Sequence, residues 1–248
     1  MKDDRGTILS RRNLLLLGAS ASAVLIAPFP SALAQTTGNG PMKIGVIGSG
    51  RLGGTVGGLW TKAGHQVMFS SRHPDDLKPL RESLGPNAKT GTVAEAVAFG
   101  EVIFIAVPYA ALPQVGNDNA AGLKGKVVLD ACNPIASRDG DIVKEANENG
   151  VGATSTKYLP GARLVRAFNS FGSGTFARES NRAGEKYGVP IASDDTSALI
   201  VAAKLVRDAG FEPVAVPLAR AKEFAPPAPL FTKAMPVSEL KKALGITQ

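Results

Sequence analysis

Lys43-Ile-Gly-Val-Ile-Gly-Ser-Gly-Arg-Leu-Gly53 decides the fold. The apolar run Lys43–Ile47 reads as a buried strand, and Gly48-Ser49-Gly50-Arg51-Leu52-Gly53 as a sharp turn into a helix. At such a turn backbone N–H groups converge on a point where a pyrophosphate can sit. Gly48 is expected to make the tight turn and Gly50 to let phosphate approach the main chain. Gly53 lets the helix close on the strand.

A second strand sharpens this reading. Gln66-Val-Met-Phe69 leads into Ser70-Ser71-Arg72-His73, about 20 residues after the glycines, where a dinucleotide fold reads the adenosine ribose. A carboxylate there accepts the ribose 2′-OH and repels a 2′-phosphate. Here Ser71 and Arg72 offer a hydroxyl and a guanidinium, with His73 in reach of the same group. The cofactor expected is NADP rather than NAD.

Working outward, apolar runs alternate with helical patterns, which predicts a parallel sheet covered on both faces. Strands are expected at 43–47, 66–70, 88–90, 102–107, 127–130, 164–168, 190–192 and 212–216. Helices are expected at 51–63, 74–84, after the Thr92 cap with Glu95, and at 141–149, 172–178, 195–209 and 237–244. The fold class is a Rossmann-type, doubly wound, mostly parallel α/β sheet in a single domain over 42–217. A short extension over 218–248, rich in proline, covers the domain or contacts a partner subunit in a homodimer.

At 248 residues, 44% hydrophobic and 20% charged, the chain has the composition of a soluble globular protein. Its formal charge of +7 comes without a Lys/Arg run and with only 6% aromatics, so no nucleic-acid partner is expected. Ser10-Arg11-Arg12-Asn13-Leu14-Leu15 opens an apolar stretch to Ala27, and Ala32-Leu33-Ala34 supplies a small-x-small cleavage site. Residues 1–34 thus read as a twin-arginine export signal, followed by a flexible leader over 35–41. A periplasmic or otherwise exported location follows. Gly18, Pro28 and Pro30 interrupt the stretch, so no stable membrane span is expected after signal removal. Losing 1–34 removes four cations and two carboxylates and leaves about +5. Cys132, the only cysteine, cannot form an internal disulfide.

In an open parallel sheet ligands lie beyond the carboxyl ends of the strands. Val107-Pro108-Tyr109 follows a fully apolar strand and either lies along the path to the nicotinamide or merely starts a helix with a surface Tyr. Asn133-Pro134 either binds the nicotinamide amide or ribose, or forms a turn. Phe168 stacks under a planar ring or fills the core. His65, Cys132 and the Asp194-Asp195 pair read as structural, and His65 and His73 lack metal-ligand spacing. No catalytic side chain is singled out.

The set Ile44–Gly53, Ser71-Arg72, Val102–Pro108, Asp130–Pro134, Val165–Asn169 and Asp208–Pro213 resembles the F420-dependent NADP oxidoreductase family. It is also similar to the NADPH-binding domain of six-transmembrane metalloreductases. The resemblance implies that Ser49, Gly50, Arg51 and Leu52 bind phosphates and that Ser71 and Arg72 hold the 2′-phosphate. It implies that the Val107–Tyr109 and Asn133–Pro134 loops flank the nicotinamide. It further implies hydride exchange between NADP and F420, or a flavin in the metalloreductases, without a catalytic side chain. The alternatives are a non-catalytic NADP-binding redox or partner module, and a reductase of a small imine or carbonyl resembling pyrroline-carboxylate reductase. The export pattern and the tail Ala225-Pro-Pro-Ala-Pro-Leu-Phe231 depart from the family pattern.

Overall fold

The computed structural model describes residues 40–246. The expected export signal over 1–34 and most of the leader over 35–41 lie outside the described residues. Eight strands form one sheet: β1 (Lys43–Ile47), β2 (Gln66–Ser70), β3 (Ala88–Gly91), β4 (Val102–Ile105), β5 (Val127–Asp130), β6 (Arg163–Arg166), β7 (Gly188–Ala192) and β8 (Glu212–Val216). Their order is β3-β2-β1-β4-β5-β6-β7-β8, parallel throughout except where Arg166 of β6 meets Ala192 of β7 antiparallel. Strand order reverses between β1 and β4, the place where such sheets open a crevice.

Helices α1 (Arg51–Lys62), α2 (Lys78–Leu84), α3 (Val93–Phe99), α4 (Leu112–Leu123), α5 (Ala136–Asp139), α6 (Ile142–Asn149), α7 (Val151–Tyr158), α8 (Ser173–Glu179), α9 (Thr196–Asp208) and α10 (Val237–Ala243) cover the sheet. Strand β4 shows why its sequence is continuously apolar. Val102 and Phe104 join the core under α1 and α9, while Ile103 and Ile105 join the core under α3 and α4. On the α1 side, Trp60 meets Phe104 and Phe168 edge-on at 5.1 and 5.3 Å, and its indole N–H donates to Leu205 O.

The expected helix over 74–84 is two pieces, a 3-10 turn at Pro74–Leu77 followed by α2. Pro79 stands in the first turn of α2, where its missing N–H goes unneeded, so a new helix starts at Lys78. The Thr92 cap forms as expected: its hydroxyl accepts from Glu95 N–H, and Glu95 accepts from Thr92 N–H. Beyond β8, a 3-10 helix at Leu218–Phe224 buries Ala221 and Phe224, and α10 sets Leu240 against β7. The extension therefore packs on its own sheet.

His65 ties the start of β1 to α9. Its Nδ1 accepts from Met42 N–H at 3.0 Å, so the proton sits on Nε2, 2.9 Å from Asp208 Oδ2. Burial lowers the His65 pKa, outweighing the raising effect of Asp208. Protonation is thus taken up first by the unfolded chain, and the stability contributed by neutral His65 is full above about pH 6.5 and is lost as pH falls below it. Urea midpoints are expected to decline from about pH 6.5 downward, before the carboxylates titrate, and this first decline should vanish in His65→Asn.

Candidate functional site

A cleft of about 920 Å³ opens over the carboxyl ends of β1, β2 and β4, at the reversal of strand order. The three glycines of the turn beside it have separate physical reasons. Gly48 has φ +91°, which L-residues with a side chain rarely adopt. A Cβ on Gly53 would stand 2.0 Å from Gly48 O, so only glycine lets α1 close on the turn. Gly50 is different: nothing in the chain lies within 4 Å of where its Cβ would be. The bare main chain there faces the cleft, as close approach of a phosphate requires.

Helix α1 begins at this point with no side-chain cap and no acidic residue in its first turn. Its leading N–H groups and the positive end of its dipole therefore face the cleft. Ser49 N–H is spent on Ser70 O, but its Oγ is buried and without a partner. An orphaned hydroxyl beside free N–H groups fits an anionic oxygen. Ser70 Oγ donates to Val46 O at 2.7 Å and clamps the end of β2 to β1. Ser71 Oγ accepts from His73 N–H at 3.1 Å, shaping the turn that presents Arg72 to the cleft. Among the described residues Arg72 has no carboxylate partner.

The cleft thus gathers Gly48, Ser49, Gly50, Ser71, Arg72, Val107 and Pro108 of the expected residues. Arg51 stands exposed at the helix start, half-buried Leu52 packs on the core, and His73 is exposed outside the lining. Four expectations are corrected. Tyr109 is fully buried, with its hydroxyl 3.0 Å from Val151 O and 3.2 Å from Ser155 Oγ, because the turn after Pro108 points it into the core. Phe168 is fully buried in the aromatic cluster, held there by a left-handed backbone at φ +59°. The Asn133 amide is consumed within the protein: Nδ2 donates to Asn169 O at 2.7 Å, and Oδ1 accepts from Arg166 and Asn169. Pro134 is buried and lines a separate hollow beneath Ala225–Ala228.

Behind these loops lies a buried ion pair. Arg166 and Asp130 are both fully buried, 2.6 Å apart, and Asp130 Oδ1 accepts from Cys132 N–H at 2.8 Å. Arg166 also donates to Cys132 O and Asn133 Oδ1. The network fixes the loop after β5. Burial pushes the Cys132 thiol and the Tyr109 phenol up, so both stay protonated and enclosed at neutral pH.

The sequence reading missed the far wall, formed by Thr92–Ala94 at the start of α3 and by Gln114, Val115, Asp118 and Asn119 of α4. The spacing i, i+1, i+4, i+5 is a helical face. The helix itself was obscured by Gly116 and the run Asn117-Asp118-Asn119, all poor helix formers. Gly116 is a packing glycine, since a Cβ would meet Tyr158 O at 1.7 Å. Among the described residues no three His, Cys, Asp or Glu side chains group as metal ligands. No described helix is long and apolar enough to cross a membrane.

Residues 43–134, the segment carrying the glycine turn, Arg72 and the loops after β4 and β5, match the family model described as NADP oxidoreductase coenzyme F420-dependent. The chain resembles the F420-dependent NADP oxidoreductases. It is 28% identical to the metalloreductase STEAP3 of Rattus norvegicus over 178 residues, which cover 69% of this chain and 33% of that one. The match to this curated relative therefore spans about a third of its length. A hypothetical protein of Sinorhizobium meliloti superposes with a TM-score of 0.69 at 23% identity, covering 79% of this chain and 95% of that one. A putative F420-dependent NADP-reductase of Arthrobacter sp. FB24 superposes with a TM-score of 0.63 at 23% identity, covering 73% and 87%. These likenesses bear out the Rossmann-type fold, and the family resemblance is to NADP-dependent oxidoreductases.

Proposed function

We propose that this chain holds NADP in the cleft and passes hydride between it and a planar conjugated acceptor, a deazaflavin such as F420 or a flavin. One wall carries the reading: the uncapped start of α1, the orphaned Ser49 hydroxyl and the carboxylate-free Arg72 guanidinium stand together at the strand-order reversal. In this reading the first N–H groups of α1 and Ser49 hold the pyrophosphate, and Ser71 with Arg72 grips the 2′-phosphate. Val107 and Pro108 exclude water from the path toward the nicotinamide. When bound, NADPH supplies the hydride.

The protein's share of the catalysis is then orientation. Holding two flat rings about 3–3.5 Å apart supplies most of it. Tyr109 and Cys132, on the loops after β4 and β5, are enclosed and held protonated by burial, so neither offers a proton to the cleft, which supports a transfer without a proton from either. The twin-arginine pattern at Ser10–Leu15 supports an exported protein that takes up NADP before translocation.

The test is a single turnover of the NADPH-loaded protein against FMN and against F420, without oxygen. Loss of reduced-nicotinamide absorbance with either acceptor is expected. Tight NADP binding with neither acceptor reduced would contradict hydride transfer and leave a non-catalytic nucleotide module. In the same preparation Arg72→Ala is expected to weaken NADP by about 1.5–3 kcal/mol, the worth of a charge-assisted contact, with NAD almost unchanged in a calorimetric titration.

A further inference from the structure

The far wall of the cleft has a polarity opposite to that of the glycine turn. Gln114 and Asp118 stand one turn apart on α4, both exposed and both lining the cleft. Gln114 Nε2 donates to the two Asp118 carboxylate oxygens at 3.0 and 2.8 Å. That bond fixes the carboxylate and leaves oxygen lone pairs as what the pair offers a ligand. Among the described residues no cation lies within ion-pair distance of Asp118. A phosphate against this wall would be repelled.

A neutral hydrogen-bond donor is what such a wall accepts. The 2′-phosphate belongs to the adenosine ribose, so a ribose gripped by Arg72 sets its base in the part of the cleft that Arg72 shares with α3 and α4. There the start of α3 and the flank of α4 pack together. Val93, Ala94, Ala111 and Val115 give that part of the cleft an apolar lining suited to the face of a base. The one donor on the edge of adenine is its 6-amino group.

We propose that Asp118, steadied by Gln114, accepts a hydrogen bond from the adenine 6-amino group and makes this cleft selective for the base as well as for the 2′-phosphate. This inference rests on the NADP reading above.

Calorimetric titration of the full chain with NADP and with its 6-deamino (purine) analogue, in which hydrogen replaces the 6-amino group, tests it. Wild type is expected to bind NADP about tenfold tighter, because the analogue has no donor on its base edge to offer the carboxylate. Asp118→Ala should bring the two within about threefold, with the loss falling on NADP. Asp118→Asn, whose amide oxygen still accepts but carries no charge, should keep a smaller preference for NADP. Arg72→Ala should weaken both ligands and leave their ratio intact. Equal affinities in wild type, or an unchanged ratio in Asp118→Ala, overturn the proposal while leaving NADP binding standing. Binding of neither dinucleotide overturns the NADP reading itself, and this inference with it.

Discussion

Gly50→Val is expected to cost about a hundredfold or more in NADP affinity while the protein stays folded. The branched side chain would occupy the space where phosphate approaches the main chain, and loss of two charge-assisted contacts is worth about 3–6 kcal/mol. Nothing else in the fold objects. Gly50 sits at φ −71° and ψ −160°, a conformation open to any residue, and no atom stands within 4 Å of its Cβ position. The melting temperature should shift by no more than about 2–4 °C, corresponding to roughly 1 kcal/mol for a poorer N-cap. Gly53→Val is the contrasting case. Its Cβ would run into Gly48 O, so stability falls first and binding falls as a consequence. Circular dichroism melts beside NADP titrations separate the two.

The second large effect belongs to the ion pair behind the loops. Arg166→Met leaves the Asp130 carboxylate buried without its counter-charge, and breaking such a pair costs about 3–5 kcal/mol. The double variant Asp130→Leu with Arg166→Met should recover part of that loss, since no bare charge remains. Recovery stays incomplete because Cys132 N–H and O and the Asn133 amide lose partners as well. Urea unfolding would show this as midpoints ordered wild type, double variant, single variant. A single variant as stable as wild type would mean that Arg166 does not hold the loop after β5.

Much of this molecule is legible in its sequence because local chemistry and global fold agree. The apolar run before Gly48 and the spaced glycines leave few alternatives, and the spacing to Ser71-Arg72 locates the tip of β2. The Thr92 capping box announces α3 for the same reason. What the sequence conceals is direction. Tyr109 and Phe168 follow strands that do end near the cleft, yet backbone turns send both rings inward. No spacing rule reports a φ of +59° at a phenylalanine. Asn133 is hidden differently: its partners Asn169 and Arg166 lie more than thirty residues away, and only the pairing of β5 with β6 brings them together. The α4 wall was obscured by glycine and asparagine, whose presence there answers to packing against Tyr158 O and to the lining of the cleft rather than to helix propensity.

NADP selectivity follows if a doubly charged adenosine phosphate is gripped between the start of α1 and the tip of β2. The most direct measurement is a side-by-side equilibrium titration of the purified chain with NADPH and NADH at fixed ionic strength. NADPH should bind at least about tenfold more tightly, and the difference should shrink as salt rises, since an exposed guanidinium–phosphate contact is screened. Equal affinities at low salt, or no binding of either nucleotide, would contradict it.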